Sequence, residues 1–301
     1  MNSILLAIQG ALGQGILWSI LALGIYITYR LLDIADLSVD GTFALGGCVL
    51  AVCLVANINP IIAILLATLA GAAGGWLTGI LTTYCKIPAI LAGILTQLSL
   101  YSINLRIMGR SNIPLLKVST LFDSLASLLN CDTNIAILLC GSLFTLLVII
   151  LMYWFFGTEI GSAIRATGSN ESMVRSLGVN TNSTKILGLM LANALVALSG
   201  ALVTQSQGFA DVKMGTGAIV IGLASIIIGE TMIRKKSNFG FRLAMIVVGS
   251  ILYRLVVAVV LQLGLNTDDL KLFTALLVAI FLSVPTLSNY LGTSFSKKGG
   301  E

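Results

Sequence analysis

The sequence predicts an all-α polytopic membrane protein. Of its 301 residues 57% are hydrophobic and 10% charged, where a soluble domain carries about a quarter charged residues. Mean hydropathy is +1.03. The apolar residues also fall into runs that approach the ~20 residues a helix needs to cross a bilayer core. Polar gaps cut the chain into about nine candidate segments, Leu5–Thr28, Gly41–Ala56, Pro60–Tyr84, Pro88–Met108, Asn134–Phe156, Ile186–Gln207, Thr216–Thr231, Phe239–Leu263 and Leu270–Tyr290.

The first run is too long for a signal-peptide core and lacks a basic lead, so it reads as a retained span. An odd number of spans puts the termini on opposite sides. Arg30, Lys86, the group Arg165, Arg175 and Lys185, the cluster Arg234, Lys235, Lys236 and Arg242, and the pair Lys297 and Lys298 then share one side. The positive-inside bias makes that side cytoplasmic, with the amino terminus outside and the carboxyl terminus in the cytoplasm. An external loop carrying Arg106, Arg110 and Lys117 runs against the bias and is partly offset by Asp123 and Asp132.

The second and seventh segments are short, and they begin alike. Ala35-Asp-Leu-Ser-Val-Asp-Gly-Thr42 resembles Ala210-Asp-Val-Lys-Met-Gly-Thr216 once one residue is gapped. Short segments in corresponding halves predict discontinuous helices within two inverted repeats. The chain is then one transmembrane domain, residues 1–301. It has a first repeat at 5–108, a linking span at 134–156, a cytoplasmic loop at 157–185 and a second repeat at 186–290. On the topology above, the first break lies near the cytoplasmic face and the second near the external face. Chance similarity of small-residue sequence is the alternative.

Within the spans, Gly71, Gly75 and Gly79 recur every four residues and predict a close helix contact, within or between subunits. Gln97, Tyr101 and Asn104 form a polar stripe that is costly against lipid and therefore faces the interior, either as interhelical hydrogen bonding or along a solute path. Asn193 has the same two readings. Arg254 lies inside a span, roughly 15 Å from its outer end, and needs a partner. Glu230, Asp211 and Asp268 are the acidic candidates.

Several functions are excluded or disfavoured by what is missing. The sequence has no histidine, which removes the commonest general base and makes a zinc or transition-metal site improbable. Its five cysteines include Cys48, Cys53 and Cys140 inside apolar runs, where they behave as small hydrophobes. No Gly-x-x-x-x-Gly-Lys-Ser/Thr loop is present to hold ATP. The acids Asp33, Asp36 and Asp40 read as helix caps near water, and the central parts of the spans supply no carboxylate for ion coupling. Net charge of +5 follows from the positive-inside bias and does not call for nucleic acid.

One polar island, Gly157–Lys185, interrupts this apolar chain. Ser169 and Asn170 lead into Glu171–Leu177 and predict a short capped surface helix. The island reads Gly161-x-x-x-Arg165-Ala166-x-Gly168-x-Asn170, then a variable helix, then Leu177-Gly178-Val-Asn. This pattern resembles the cytoplasmic coupling loop of ATP-binding-cassette importer permeases, closest to the ribose and branched-chain amino acid class. Asp36-Leu-Ser-Val-Asp-Gly, Lys86-Ile-Pro-Ala-Ile and the small-residue stretch Gly215–Gly229 resemble further motifs of that class, in the same order. An additional amino-terminal span of the sugar-class proteins is absent, as in branched-chain amino acid permeases.

The resemblance implies a permease paired with a second copy, most simply as a homodimer. Two cytoplasmic ATPase subunits would bind ATP and Mg, which this chain does not, and an extracytoplasmic binding protein would deliver the solute. It implies an ATPase-coupling surface of Glu159, Gly161, Arg165, Ala166, Gly168, Asn170, Glu171, Arg175, Leu177 and Gly178. The solute path is expected beside the helix breaks, at Ser38, Asp40, Thr42, Gly215 and Thr216, together with Gln97, Tyr101, Asn104 and Asn193. Half-helix amino termini there offer free N–H groups to a polar or carboxylate-bearing solute. Leu-Ser-Val-Asp-Gly-Thr, Ile-Leu-Tyr-Arg-Leu and Asp-Asp-Leu-Lys-Leu-Phe-Thr-Ala are similar to a subgroup that imports tryptophan or related aromatic amino acids. A sugar or nucleoside importer, a stand-alone secondary transporter, and an intramembrane enzyme or assembly protein remain alternatives. The location implied is the bacterial cytoplasmic membrane.

Overall fold

The computed structural model describes residues 2–116, 118–233, 237–262, 272–276, 278–280 and 283. Among them, six helices are long and apolar enough to cross a membrane. They are α1 (Asn2–Tyr26, continued by a π-helical turn Ile27–Leu31), α3 (Pro60–Thr83), α4 (Ala89–Met108), α6 (Thr133–Gly157), α9 (Thr181–Gln207) and α11 (Phe239–Gln262). Two shorter apolar helices are α2 (Val39–Val55) and α10 (Ala218–Thr231). The first eight expected segments thus match helices to within a few residues, and the ninth, Leu270–Tyr290, lies largely outside the described residues. So do Lys117, Arg234, Lys235, Lys236, Asp268, Lys297 and Lys298.

Local chemistry sets the helix ends. Asn59 caps α3, its side chain accepting the Ile61 N–H at 2.9 Å ahead of Pro60 in the first turn. Asn180 caps α9 in the same way, through the N–H groups of Asn182 and Ser183. α9 therefore starts at Thr181 and carries a polar first turn that hydropathy assigns to the loop. The sequence does not announce α5 (Leu121–Leu129), although Thr120 and Asp123 form a reciprocal capping box at its start. It also does not announce the short antiparallel pair β1 (Asn112–Pro114) and β2 (Phe209–Asp211). α7 (Glu159–Ser169) and α8 (Glu171–Ser176) make the polar island two helices instead of one.

α2 stands at the centre of the bundle, enclosed by α3, α4, α9 and α10. Its Gly46 lies against the Ala197 carbonyl, and Gly200 of α9 lies against the Phe43 carbonyl. Gly71 meets Asn193 and Ala197, Gly75 meets the Leu189 carbonyl, and Gly79 meets Ile186. The Gly-x-x-x-Gly-x-x-x-Gly stripe therefore packs α3 on α9 within the chain. Close backbone approach replaces the hydrophobic effect as the packing force in lipid. The outward faces of α3 and α6 expose Leu69, Leu143 and Trp154, as helices bordering a bilayer do.

The bundle has two distinct ends. At one, α7 and α8 lie beside an ion pair between Arg30 and Glu230, with Arg30 Nε donating to Glu230 Oε1 at 2.8 Å. At the other lie β1, β2 and α5. Both short helices begin in the interior. Ser38 and Thr42 at the start of α2 contact Asn193, which is twelve residues into α9, ~18 Å from its first residue. Gly215, just before α10, rests on the Asp40 carbonyl. From this meeting point α2 runs to the β1–β2 end and α10 to the loop end. The expectation of one break near each face is corrected: residues 32–38 and 212–217 each re-enter the bundle before their helix begins, so the two breaks touch.

Candidate functional site

The first break is built on Asp36. Its Oδ1 accepts the Ser38 N–H at 2.9 Å and the Ser38 hydroxyl at 2.6 Å, and its Oδ2 accepts Asn193 Nδ2 at 2.8 Å. The Thr42 hydroxyl lies between Asn193 Oδ1 and the Ser38 carbonyl. Asp36, Ser38, Thr42 and Asn193 are all buried. A buried carboxylate is tolerated only when its lone pairs are filled, and hydroxyl, amide and backbone donors fill these. At the second break, Asp211 Oδ1 accepts the Lys213 N–H at 2.7 Å. The two similar stretches of sequence thus share an aspartate that turns the chain by binding the N–H two residues on.

Asp40 joins the breaks. Its Oδ2 accepts the Gly217 N–H at 3.0 Å and its Oδ1 the Ile219 N–H at 3.0 Å. A carboxylate at a helix amino terminus satisfies orphan donors and the positive end of the dipole. The expectation of free N–H groups at this terminus is therefore corrected, because Asp40 already occupies them. The expectation that Asp36 and Asp40 cap helices near water is also corrected: Asp36 holds the turn before α2, Asp40 caps α10 instead of its own helix, and both do so inside the protein.

Beside this junction is a cavity of about 130 Å³ lined by Asp40, Gly41, Gln97, Leu98, Tyr101, Asn104, Val212, Lys213 and Thr216. The polar stripe of α4 faces it. Asn104 is fully buried, with Nδ2 3.4 Å from the Gly41 carbonyl and Oδ1 without a hydrogen-bond partner. Five expected residues, Asp40, Gln97, Tyr101, Asn104 and Thr216, come together here, and Gly215 backs onto Asp40. Ser38, Thr42 and Asn193 lie behind the cavity in the Asp36 network. The expectations missed Asp36 and Lys213 as site residues, although both sit in the repeated stretches that marked the breaks.

In the polar island, Gly168 packs on the Leu31 carbonyl and Gly161 on that of Phe155, which seats α7 against the bundle. Ala166 is half-buried beside Thr167, whose hydroxyl is 3.0 Å from that of Thr184. The Arg165 guanidinium lies 5.7 Å from the centre of the Phe239 ring. Asn170 caps α8 by accepting the Met173 N–H at 3.0 Å. Glu171 is a hub: it accepts Arg175 at 2.7 Å, Lys185 at 2.6 Å and the Thr181 hydroxyl at 3.2 Å. The hydrogen bond from Lys185 is the main cause holding its carboxyl below the usual range. Glu171 and Arg175 line a cavity of about 450 Å³ with Lys86 and Lys185. Gly178, at φ +85°, turns the chain from α8 into α9. Glu159, Ile160, Met173 and Leu177 remain exposed, Leu177 at 73%.

Arg254 stacks on Trp18, 4.0 Å from the ring centre. Two of the acidic candidates have other partners: Glu230 holds Arg30, and Asp211 holds the Lys213 N–H with Asn112 at 3.4 Å, while Asp268 lies outside the described residues. A cation on an indole face is a recognised solution for a desolvated guanidinium.

Comparison with known proteins gives the family. Residues 7–284 match the family described as branched-chain amino acid transport system, permease component. The chain is 42% identical over 275 residues to a tyrosine transport system permease protein of Clostridioides difficile, covering 91% of this chain and 90% of that one. It is 34% identical to an uncharacterized protein of Rickettsia prowazekii, covering 91% and 95%. It is also 34% identical over 169 residues to the autoinducer 2 import system permease protein LsrC of Yersinia pseudotuberculosis, covering 55% and 45%. No solved structure matches the chain. With a family match across nearly its whole length, and six helices able to cross a membrane, the chain is a multi-pass protein of the bacterial inner membrane and belongs to the family of branched-chain amino acid transport system permease components.

Proposed function

We propose that this chain is the membrane subunit of an ATP-driven importer for a small solute, an amino acid and most directly an aromatic one such as tyrosine or tryptophan. The observation that carries the reading is the cavity at the junction of α2 and α10, where both half-helices begin and the α4 stripe faces inward. The relative named for tyrosine transport supports the amino acid class, as do Tyr101 and Leu98, which offer apolar surface to an aromatic body.

Two permease copies, two ATPase subunits holding ATP and Mg, and an external binding protein complete the machine. The shared aspartate turns and the opposite courses of α2 and α10 support two inverted repeats within a nine-span chain. The basic residues at the loop end support a cytoplasmic loop, an external amino terminus and a cytoplasmic carboxyl terminus. The coupling surface is the island from Glu159 to Gly178. Within it Ile160, Met173 and Leu177 meet the ATPase directly, while Glu171, Arg175 and Asn170 set the angle of α8. ATPase closure moves that surface and rocks the bundle between outward- and inward-open states.

Reconstitution with its ATPase and binding protein tests the reading. ATP-dependent accumulation of radiolabelled L-tyrosine or L-tryptophan is expected. Uptake that persists without the ATPase would indicate a secondary transporter, for which Asp36 is a buried carboxylate. ATP-dependent uptake confined to a sugar or nucleoside would overturn the amino acid assignment.

A further inference from the structure

We infer that the cavity beside α10 reads the two charges of an amino acid separately, the ammonium at Asp40 and Asn104 Oδ1 and the carboxylate at Lys213. This rests on the importer reading above and names the residues that would give it specificity. The cavity contains one anion, Asp40, and one cation, Lys213. The N–H donors of the α10 amino terminus, the obvious seat for a solute carboxylate, are taken by Asp40. A solute carboxylate at that terminus would have to displace Asp40 and sit against its charge.

The inner wall is instead rich in acceptors. Asp40 Oδ1 and Oδ2 accept backbone N–H groups at the start of α10, and a carboxylate with about four acceptor sites keeps room for a further donor. Asn104 Oδ1 is fully buried and has no partner. An orphaned buried acceptor costs free energy until a donor arrives, and an ammonium brings three N–H donors and no lone pair. A neutral hydroxyl would satisfy Asn104 but not the charge of Asp40. Lys213 is exposed and follows the turn held by Asp211, so it stands at the mouth with its charge unengaged by any ion pair among the described residues. A zwitterion entering ammonium first therefore meets opposite charge at both of its ends. Tyr101 and Leu98 of α4 are left for its side chain.

The test uses the assembled transporter with its binding protein and L-tyrosine. Lys213→Gln and Asn104→Ala are each expected to lower uptake about tenfold, the loss of one charged or buried hydrogen bond. Lys213→Arg should keep uptake within about threefold of wild type. Co-purification with the ATPase and a wild-type melting temperature should remain in all three variants, which separates loss of cargo reading from loss of folding. Wild-type uptake with both Lys213→Gln and Asn104→Ala unimpaired would overturn this inference and leave the importer reading standing. Absence of any amino acid uptake by the wild type would instead overturn the importer reading. A Lys213→Arg variant as impaired as Lys213→Gln would show that position 213 acts through shape and not charge, and would also sink the proposal.

Discussion

The Asp40 carboxylate accepts the Gly217 backbone N–H at 3.0 Å, so the first turn of α2 caps the start of α10. Residues separated by most of the chain thereby fix two half-helices to one another in the interior. The bond helps irregular backbone survive at this depth, since Asp40 gives the Gly217 and Ile219 N–H groups an acceptor.

Asp40→Ala is expected to free the Gly217 and Ile219 donors and to cost about 0.5–2 kcal/mol, the usual worth of a cap. Asp40→Asn keeps one acceptor oxygen and should lose less. Thermal unfolding of the purified permease in nanodiscs measures both, and equal midpoints for Asp40→Ala and wild type would remove the cap from the account.

Gly75→Ala and Gly71→Ala should each destabilise the chain by about 1–3 kcal/mol through overpacking. A Cβ at either position runs into α9, against the Leu189 carbonyl or Asn193 and Ala197. Gly157→Ala meets nothing within 4 Å and serves as the control. If the α3 substitutions changed dimer yield but not the stability of the single chain, the stripe would belong between subunits.

Glu171→Gln is expected to loosen α8 from α9 and reduce transport per ATP hydrolysed, because three donors lose their common anion. The folded carboxyl is depressed below its ordinary 4.5. The clamp is therefore complete above that value and is lost only as pH falls through the lowered one. Amide hydrogen exchange over residues 171–185 should be slow and pH-flat after intrinsic correction near neutrality in the wild type, and fast in Glu171→Gln. Identical protection in the two proteins would exclude the clamp.

Leu177→Asp and Met173→Asp should weaken ATPase binding about tenfold or more while leaving the permease melting temperature unchanged. Both side chains are exposed on an otherwise polar loop, where a desolvated apolar contact with a partner carries binding energy. Pull-down of the ATPase with each purified variant reads the effect; undiminished capture by both would place docking elsewhere on the island.

The sequence by itself determined the membrane class, eight helices, the two breaks and the polar island, because each is written locally. Apolar runs, the helix-start signal at Asn170 and the doubled Asp stretches depend on residues a few positions apart. It also brought Gln97, Tyr101 and Asn104 onto one face, since helical periodicity alone does that. Only the tertiary structure decided what those features meet. Hydropathy sees the length of a span but not a chain that re-enters the bundle, so the breaks looked separate until α2, α9 and α10 were packed. The same packing drew Asp36 and Asp40 from the surface into the interior, took Glu230 for Arg30, and left Arg254 on the face of Trp18. Partner choice among buried polar groups is a long-range competition for few donors and acceptors, and one-dimensional spacing does not contain it.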